Sequence, residues 1–350
     1  MSAWNDTVTA TTELPFLSVV VIGRNEGERL RRCLQSVADM TLRGFRTEMI
    51  YVDSGSVDGS VALAQSMGAT AIALQPERPT AALGRNAGWR AAKGTFILFL
   101  DGDTILHPEF VANSLPEFVD ETVAVVWGHR REIHPERSLY NRILDLDWIY
   151  PPGPALFCGG DALFRKSVLM SAGGYDDSLI AGEEPELCRR IASLGFIILH
   201  VDHPMTSHDL AMMTWLQYWK RATRAGHAFA EVSERFQNTE NPFWKNEALQ
   251  NRRRAPLMLA VWSLSLVASL LTMSLLPVLA MTSLFLAVAI RSAWKARWKS
   301  TNPMTLVLYG LHSHLQQIPI YVGQMQYRRN RRSGRHSVLL EYKKIGRAHV

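Results

Sequence analysis

Residues 257–290 run for 34 positions without a charged side chain, and that length limits where the segment can go. As one straight helix it would span ~51 Å, well beyond the ~30 Å hydrocarbon core of a bilayer. Pro277 divides the run, and basic residues flank it, Arg252-Arg253-Arg254 before and residues 291–299 after. Positive flanks favour the cytoplasmic side, so the pattern predicts a tight helical hairpin that returns to the side it came from. A re-entrant segment or a tilted single helix also fits the short arms, and a buried helix of a soluble core is the alternative without a membrane. Trp294 and Trp298 lie one turn apart among Lys295, Arg297 and Lys299, a composition suited to the headgroup zone. Residues 304–325 read as a second interfacial helix.

The charge balance fits the same picture. The chain carries a net charge of +6, and the excess gathers in residues 252–254, 291–299 and 328–335. These clusters flank apolar stretches, which favours an anionic membrane surface over nucleic acid. A hydrophobic share of 47% against 20% charged argues against disorder. The 350 residues can hold one α/β domain of ~200–250 residues with a smaller addition. Cys33, Cys158 and Cys188 show no metal spacing and fit free thiols in a reducing compartment. Residues 1–14 are polar with no basic stretch, and the apolar run 17–22 is too short for a signal peptide, so the N-terminal domain is expected in the cytoplasm. Residues 345–350, Ile-Gly-Arg-Ala-His-Val, match one reading frame of a common sequencing adapter and are set aside as an artefact.

Ahead of the apolar run, strand and helix patterns alternate. Residues 17–22 form a continuous, β-branched run, as a buried parallel strand requires. Asn25 can cap a helix that buries Leu30, Cys33, Leu34 and Val37. Residues 49–52 read as a second strand, 61–67 as a short helix, 70–74 as extended, 83–92 as a helix and 95–100 as a strand. This predicts an α/β fold, a mainly parallel sheet with helices on both faces, followed by a C-terminal helical membrane-associated region. Further strands are expected over 123–127 and 196–201, helices over 166–173 and 184–195, and irregular chain over 135–155. Ligands of such sheets bind beyond the carboxyl ends of the strands. Asp53 and Asp101 fall there.

No dinucleotide fingerprint follows the first strand, which leads into Gly23-Arg24-Asn25-Glu26-Gly27, and no P-loop is present. Acids at strand ends suit a metal–diphosphate complex instead. Asp101-Gly102-Asp103 follows Phe99-Leu100 directly. Positions i and i+2 of extended chain point the same way, so both carboxylates can address one cation. Hard cations such as Mg²⁺ or Mn²⁺ take oxygen ligands and bridge carboxylate to phosphate. Such a pair alone equally describes a solvated turn; its place after an apolar strand favours the metal.

Together these residues resemble the family 2 glycosyltransferases, whose catalytic domain has the type A nucleotide-sugar-binding fold. The resemblance covers about residues 17–230 in four ordered motifs. They are Val19-Val-Val-Ile-Gly-Arg-Asn-Glu26, then Val52-Asp-Ser-Gly-Ser-Val-Asp-Gly-Ser60, then Gly84-Arg-Asn-Ala-Gly88 leading into the Asp101 motif. Last come Gly159-Gly-Asp161, Gly173-Gly-Tyr-Asp176 and Ala181-Gly-Glu-Glu184. The resemblance implies that Gly23, Arg24 and Glu26 line a nucleotide pocket and that Asp53 hydrogen-bonds the base. Arg85 then approaches the base or phosphates, Asp101 the ribose or metal, and Asp103 is the main metal ligand. Glu184 aligns with the last acid of the family's Glu-Asp motif, the catalytic base. Glu stands where Asp is usual, which leaves Glu183 as the competing base. Such a carboxylate takes the acceptor hydroxyl's proton as its oxygen attacks the anomeric carbon. His208 matches a late histidine that closes the metal site in some relatives, with His200 and His203 as competitors. Turn and helix capping is the plain alternative for Asp53 and Asp58; it is kept for Asp58 and set aside for Asp53.

Two departures matter. Ser54 replaces the second acid of the usual paired aspartates. Trp215-Leu-Gln-Tyr-Trp-Lys-Arg221 stands where processive synthases carry Gln-x-x-Arg-Trp, which implies transfer of a single sugar. Trp215 and Trp219 are packing or membrane-proximal residues, or an acceptor platform. The expectation is an inverting, metal-dependent transferase that moves one sugar from a nucleotide-sugar donor to a lipid-linked or envelope-polysaccharide acceptor. It would work on the cytoplasmic face of a bacterial-type inner membrane, with no nucleic acid partner. Inversion is implied by the family and by a single base with no nucleophile opposite it. A sugar nucleotidyltransferase and a catalytically inactive membrane scaffold of the same fold are the alternatives. The first lacks its Gly-rich basic loop here, and the second would lose the acids. The expected organisation is a tail over 1–14, a catalytic domain over 15–235, a juxtamembrane linker over 236–256, the hairpin over 257–290 and basic interfacial helices over 291–344.

Overall fold

The computed structural model describes residues 16–42 and 44–334, so the 1–14 tail, residues 335–344 and the 345–350 segment lie outside the described residues. The strands are β1 (Phe16–Gly23), β2 (Arg46–Asp53), β3 (Thr70–Ala73), β4 (Phe96–Asp101), β5 (Thr104–Leu106), β6 (Val123–Glu132), β7 (Gly153–Ala155), β8 (Ala162–Arg165) and β9 (Ile197–His208). They form one sheet in the order β3-β2-β1-β4-β8-β6-β9-β5, with β7 paired to β9. The first four strands are parallel and are joined by α1 (Glu28–Ala38), α2 (Ser60–Ser66) and α3 (Ala81–Ala91). Successive residues of β1 from Leu17 to Val21 are fully buried, so both sheet faces are covered, as the β-branched run predicts. The register brings carboxyl ends level: Gly23 pairs with Asp53, and Ile22 with Asp101. The parallel pattern breaks at β8, which runs antiparallel between β4 and β6; β6 and β9 are parallel again.

Several local expectations change. Asn25 does not cap α1: its φ is +54°, its side chain accepts a hydrogen bond from the Val57 N–H at 2.8 Å, and α1 starts after Gly27. Asparagine tolerates that left-handed backbone where most residues do not. β6 and β9 outrun their apolar segments, because their ends carry polar side chains such as Arg130 and His208. The stretch 135–155 is ordered, with α4 (Phe110–Ser114) before it, α5 (Leu139–Asp145), a single 3₁₀ turn (Leu146–Trp148) and β7 within it. Then follow α6 (Lys166–Ser171) and α7 (Glu183–Ser193).

The C-terminal part is helical: α8 (Trp215–Phe236), α9 (Lys245–Leu271), α10 (Leu276–Lys295), α11 (Pro303–Leu315) and α12 (Gln317–Arg332). Thr214 and Gln217 form a reciprocal capping box that starts α8. The segment 236–256, expected as a linker, is largely the first turns of α9. α9 and α10 fold back on each other, with Trp262 against Phe285 and the Val278 N–H donating to Ser269 Oγ at 3.2 Å. The bend falls at Thr272–Leu275 rather than at Pro277, which sits in the first turn of α10 where its missing N–H costs nothing. Both helices are long and apolar enough to cross a membrane by length and composition. Their uncharged portions, 257–271 and 276–290, are each ~22 Å at 1.5 Å per residue, less than the ~30 Å core. Leu271, Met273 and Leu275 at the tip are 80%, 92% and 72% exposed, which sets aside the buried helix of a soluble core.

Helix α12 docks on α8 through a close backbone crossing. A Cβ at Gly226 would lie 2.0 Å from the Ile320 carbonyl oxygen, and one at Gly323 1.9 Å from that of Thr223. Backbone cannot yield there as a flexible side chain can. Gly226→Val is therefore expected to destabilise the protein by about 1–3 kcal/mol, the usual cost of overpacking, read as a lowered denaturation midpoint in detergent; an unchanged midpoint would mean the crossing is looser than described.

Candidate active site

A cavity of about 920 Å³ lies beyond the carboxyl ends of β1 and β4 and reaches across to α8 and α12. Gly23, Arg24 and Glu26 line it, as do Arg85, Asp101, Asp103, Glu183 and Glu184. Glu26 pairs with Arg29 at 2.7 Å on the same wall. Asp53 sits differently. It is 2% exposed, its Oδ1 accepts from Tyr51 and Ser56 hydroxyls, and its Oδ2 accepts the N–H groups of Gly55 and Ser56 at 2.9 and 2.7 Å. The turn-building role set aside for Asp53 is thus the one its hydrogen bonds display, and Ser54 faces the cavity in its place. Asp58 also builds its turn, accepting from the Ser60 N–H at 3.1 Å and the Gly27 N–H at 3.0 Å.

The cavity floor is a knot of arginines and carboxylates. Arg85, on α3, is buried and donates to Asp101 Oδ1 at 3.0 Å and to Glu183 Oε1 at 3.1 Å, with Glu184 Oε1 at 3.0 Å. Arg130, on the polar extension of β6, reaches Asp101 Oδ2 at 3.1 Å and Asp161 Oδ2 at 2.9 Å. Asp161 also accepts the Asp101 N–H at 2.9 Å and the Thr206 hydroxyl at 2.8 Å. The knot needs a bare backbone beside it: a Cβ at Gly160 would stand 2.6 Å from Arg85 Nη2 and 2.9 Å from Asp101 Oδ2.

Asp101, Asp103 and His208 converge. Each offers one ligand atom, and the three atoms lie within 4.8 Å of one another. The reason differs from the expected one: Asp103 lies in the turn after β4 rather than in extended chain, and His208 comes in from the end of β9, its Nε2 3.4 Å from Asp103 Oδ1. His200 is elsewhere, its Nδ1 2.9 Å from the Pro151 carbonyl oxygen, and neither it nor His203 joins the cluster. Burial, and then the charge of Arg130, push His208 down to about 4, so its ring is neutral near pH 7 and keeps a lone pair for a cation. Its buried Nδ1 has no hydrogen-bond partner among the described residues. Two carboxylates and one imidazole fit a divalent cation.

Glu183 and Glu184 open α7 just after Gly182, whose φ is +83°. Glu184 is the more accessible, with 17% of its side chain exposed against 5% for Glu183. Burial, then the charge of Glu183, push Glu184 up to about 7, against the pull of Arg85. A carboxyl poised there exchanges protons near neutrality.

The description "Glycosyl transferase family group 2" matches residues 96–311, and "Glycosyl transferase family 2" matches residues 18–170. The chain belongs to the family 2 glycosyltransferases. That membership argues against the nucleotidyltransferase alternative. Among the family's curated members, glycosyltransferase AglE of Haloferax volcanii is 25% identical over 53% of this chain and 64% of its own length. The probable glycosyltransferase YdaM of Bacillus subtilis is 26% identical over 61% of this chain and 54% of its own. The chain thus spans less than two thirds of the length of these relatives. A mannosyltransferase, PcManGT from Pyrobaculum calidifontis, solved in complex with GDP-Man and Mn²⁺, has a TM-score of 0.63 at 19% identity, over 90% of this chain and 88% of that one. GalNAc-T7, solved with UDP, GalNAc and Mn²⁺, has a TM-score of 0.53 at 17% identity, over 69% and 51%. These likenesses bear out the type A fold.

Sequence reasoning missed Arg130, Asp147, Trp148 and Arg224, and it read Arg221 and Lys299 for other roles; all six line the cavity. Asp161 was visible only as part of a motif. The missed residues stand in no pattern, since a side chain that faces a cleft looks in sequence like one that faces water.

Proposed function

We propose that this family 2 member transfers a single sugar from a nucleotide-sugar to a membrane-proximal acceptor, with inversion and with a divalent cation. The observation that carries the proposal is the convergence of Asp101, Asp103 and His208 in the same cavity as Glu184. Gly23, Arg24 and Glu26 would form the nucleotide wall, shaped from behind by the Asp53 turn. Asp101, Asp103 and His208 would hold the cation, and the single imidazole suits Mn²⁺ better than the all-oxygen shell Mg²⁺ prefers. When bound, such a cation offsets the charge that builds on a departing diphosphate. Arg85 and Arg130 hold Asp101 from both sides, so that carboxylate cannot swing away. Glu184 accepts the proton of the acceptor hydroxyl as its oxygen attacks the anomeric carbon from the face opposite the leaving group. A single displacement of that kind inverts the centre.

The exposed apolar tip of the α9–α10 hairpin supports membrane attachment on the side that the basic flanks mark as cytoplasmic. A hairpin whose uncharged arms are shorter than the hydrocarbon core would sink its tip into the bilayer and return, with Trp294 and Trp298 at headgroup level. The acceptor would then be lipid-linked or a growing envelope polysaccharide, and the membrane a bacterial-type inner membrane.

Three measurements test this. Asp103→Ala is expected to weaken the apparent Mn²⁺ affinity of donor turnover by at least about 10–100-fold, the scale seen for damaged metal shells; unaltered metal dependence would remove the cation from this site. Glu184 acts only when ionised, so turnover should rise as pH passes through about 7 and level off above it. Glu184→Gln should cost ~10²–10⁴-fold and abolish that limb, whereas a normal profile in the variant assigns the base elsewhere, Glu183 first. Finally, the full chain should float with anionic liposomes, and Leu271→Asp with Leu275→Asp should leave it in the soluble fraction; flotation that ignores the pair would contradict insertion of the tip.

A further inference from the structure

The cavity has two chemically different ends. Around β1, β4 and α7 the cations Arg85 and Arg130 are matched by Asp101, Asp161, Glu183 and Glu184. At the helical end the balance reverses. Arg221 and Arg224 stand one turn apart on α8 and both line the cavity, as does Lys299 from the link between α10 and α11. Arg221 Nη1 is 4.0 Å from Asp147 Oδ2, and Lys299 Nζ donates to the Leu146 carbonyl oxygen at 2.8 Å, so both converge on the same 3₁₀ turn. Arg224 has no carboxylate within ion-pair distance among the described residues. Asp147 is the one acid among them, and it is shared with His312 Nε2 at 3.4 Å. Three cations against one carboxylate leave a surplus of about two positive charges, in a wall that also carries Trp148, Tyr150 and Tyr309.

We propose that Arg221, Arg224 and Lys299 form the acceptor subsite and take the phosphate or diphosphate of a lipid-linked acceptor. The inference rests on the transferase proposal above and names its acceptor. A neutral sugar needs no such surplus, and a lone carboxylate would answer one cation, whereas a lipid diphosphate carries about two negative charges and many acceptor oxygens. Burial lowers the Lys299 ammonium from its ordinary value even though Asp147 opposes the shift, so an arriving anion relieves an existing cost. Position names the lipid. Lys299 follows Trp298 at the end of the hairpin's basic flank, where a phosphate at headgroup depth meets it. The phosphate serves as a handle; the hydroxyl to be glycosylated lies farther along the acceptor and reaches Glu184.

The test uses the full chain in detergent with EDTA, which keeps a diphosphate from binding through a cation at Asp101 and Asp103. Farnesyl diphosphate, farnesol and inorganic pyrophosphate are titrated separately by calorimetry. Farnesyl diphosphate is expected to bind at least about tenfold more tightly than either other probe, and Arg224→Gln and Lys299→Met to weaken it about tenfold each, the scale of a lost charge-assisted hydrogen bond. Equal binding of farnesol, or variants that bind like the parent, would overturn the subsite; equal binding of pyrophosphate would overturn the lipid. The thermal shift given by UDP or GDP with Mn²⁺ is read on the same variants. Its retention shows that they fold, and its absence in the parent would fault the donor proposal rather than this one.

Discussion

Arg85 is the hinge pin of the site. Its buried guanidinium ties the end of β4, through Asp101, to the first turn of α7, through Glu183 and Glu184. Those two elements are 82 residues apart in the chain, from Asp101 to Glu183, and share no strand pairing. A buried charge without partners is costly, and one with three carboxylates at about 3 Å is held firmly in one rotamer. The carboxylates in turn raise the Arg85 pKa further, against the desolvation that would lower it. Holding the acids that would face a donor and those that would face an acceptor on a single cation fixes their separation without relying on loop stiffness.

The same economy of contacts explains the glycines around the knot. Gly160 lets the 159–161 backbone lie against Arg85 and Asp101, and Gly174 allows a similar approach to Asn86 and Trp89, where a Cβ would stand 2.7 Å from Asn86 Oδ1. Asn86 then accepts the Tyr175 N–H at 2.9 Å, and the Tyr175 ring lies 5.5 Å from the Arg85 guanidinium. Sheet, helix and loop thus interlock by backbone lying close against the Arg85 and Asn86 side chains. Such packing tolerates little change in volume.

How much of this was legible in the chain follows from what kind of signal each residue gives. The strand carrying Val19–Ile22 and the acids after Leu100 were readable, because an apolar run ending in charge is a local pattern. Glu184 and His208 were readable only through the order of the family motifs. Arg130, Asp147 and Lys299 were not, since their meaning comes from non-local pairings such as β6 with β9 and from the 3₁₀ turn that Lys299 touches. Asp53 shows a different limit: its place at a strand end is a local pattern, but that its carboxylate also builds the turn with Gly55 and Ser56 shows only in the structure. The bend of the hairpin was also misplaced, because a proline starts a helix as readily as it stops one.

The helical part reaches the site through side chains. Tyr218 of α8 and Asp147 both contact His312 of α11, at 2.8 and 3.4 Å, and Lys299 joins the same turn from the other side. Next to Asp147, Trp148 lies against His208 with ring centroids 4.9 Å apart, and the Arg130 guanidinium lies 5.3 Å from the Trp148 ring. A continuous line of contact therefore runs from the helices beyond the hairpin to the imidazole of the cation cluster. Close packing transmits displacement along such a line, so on the reading proposed above the helices after the hairpin help to position the His208 imidazole beside Asp103.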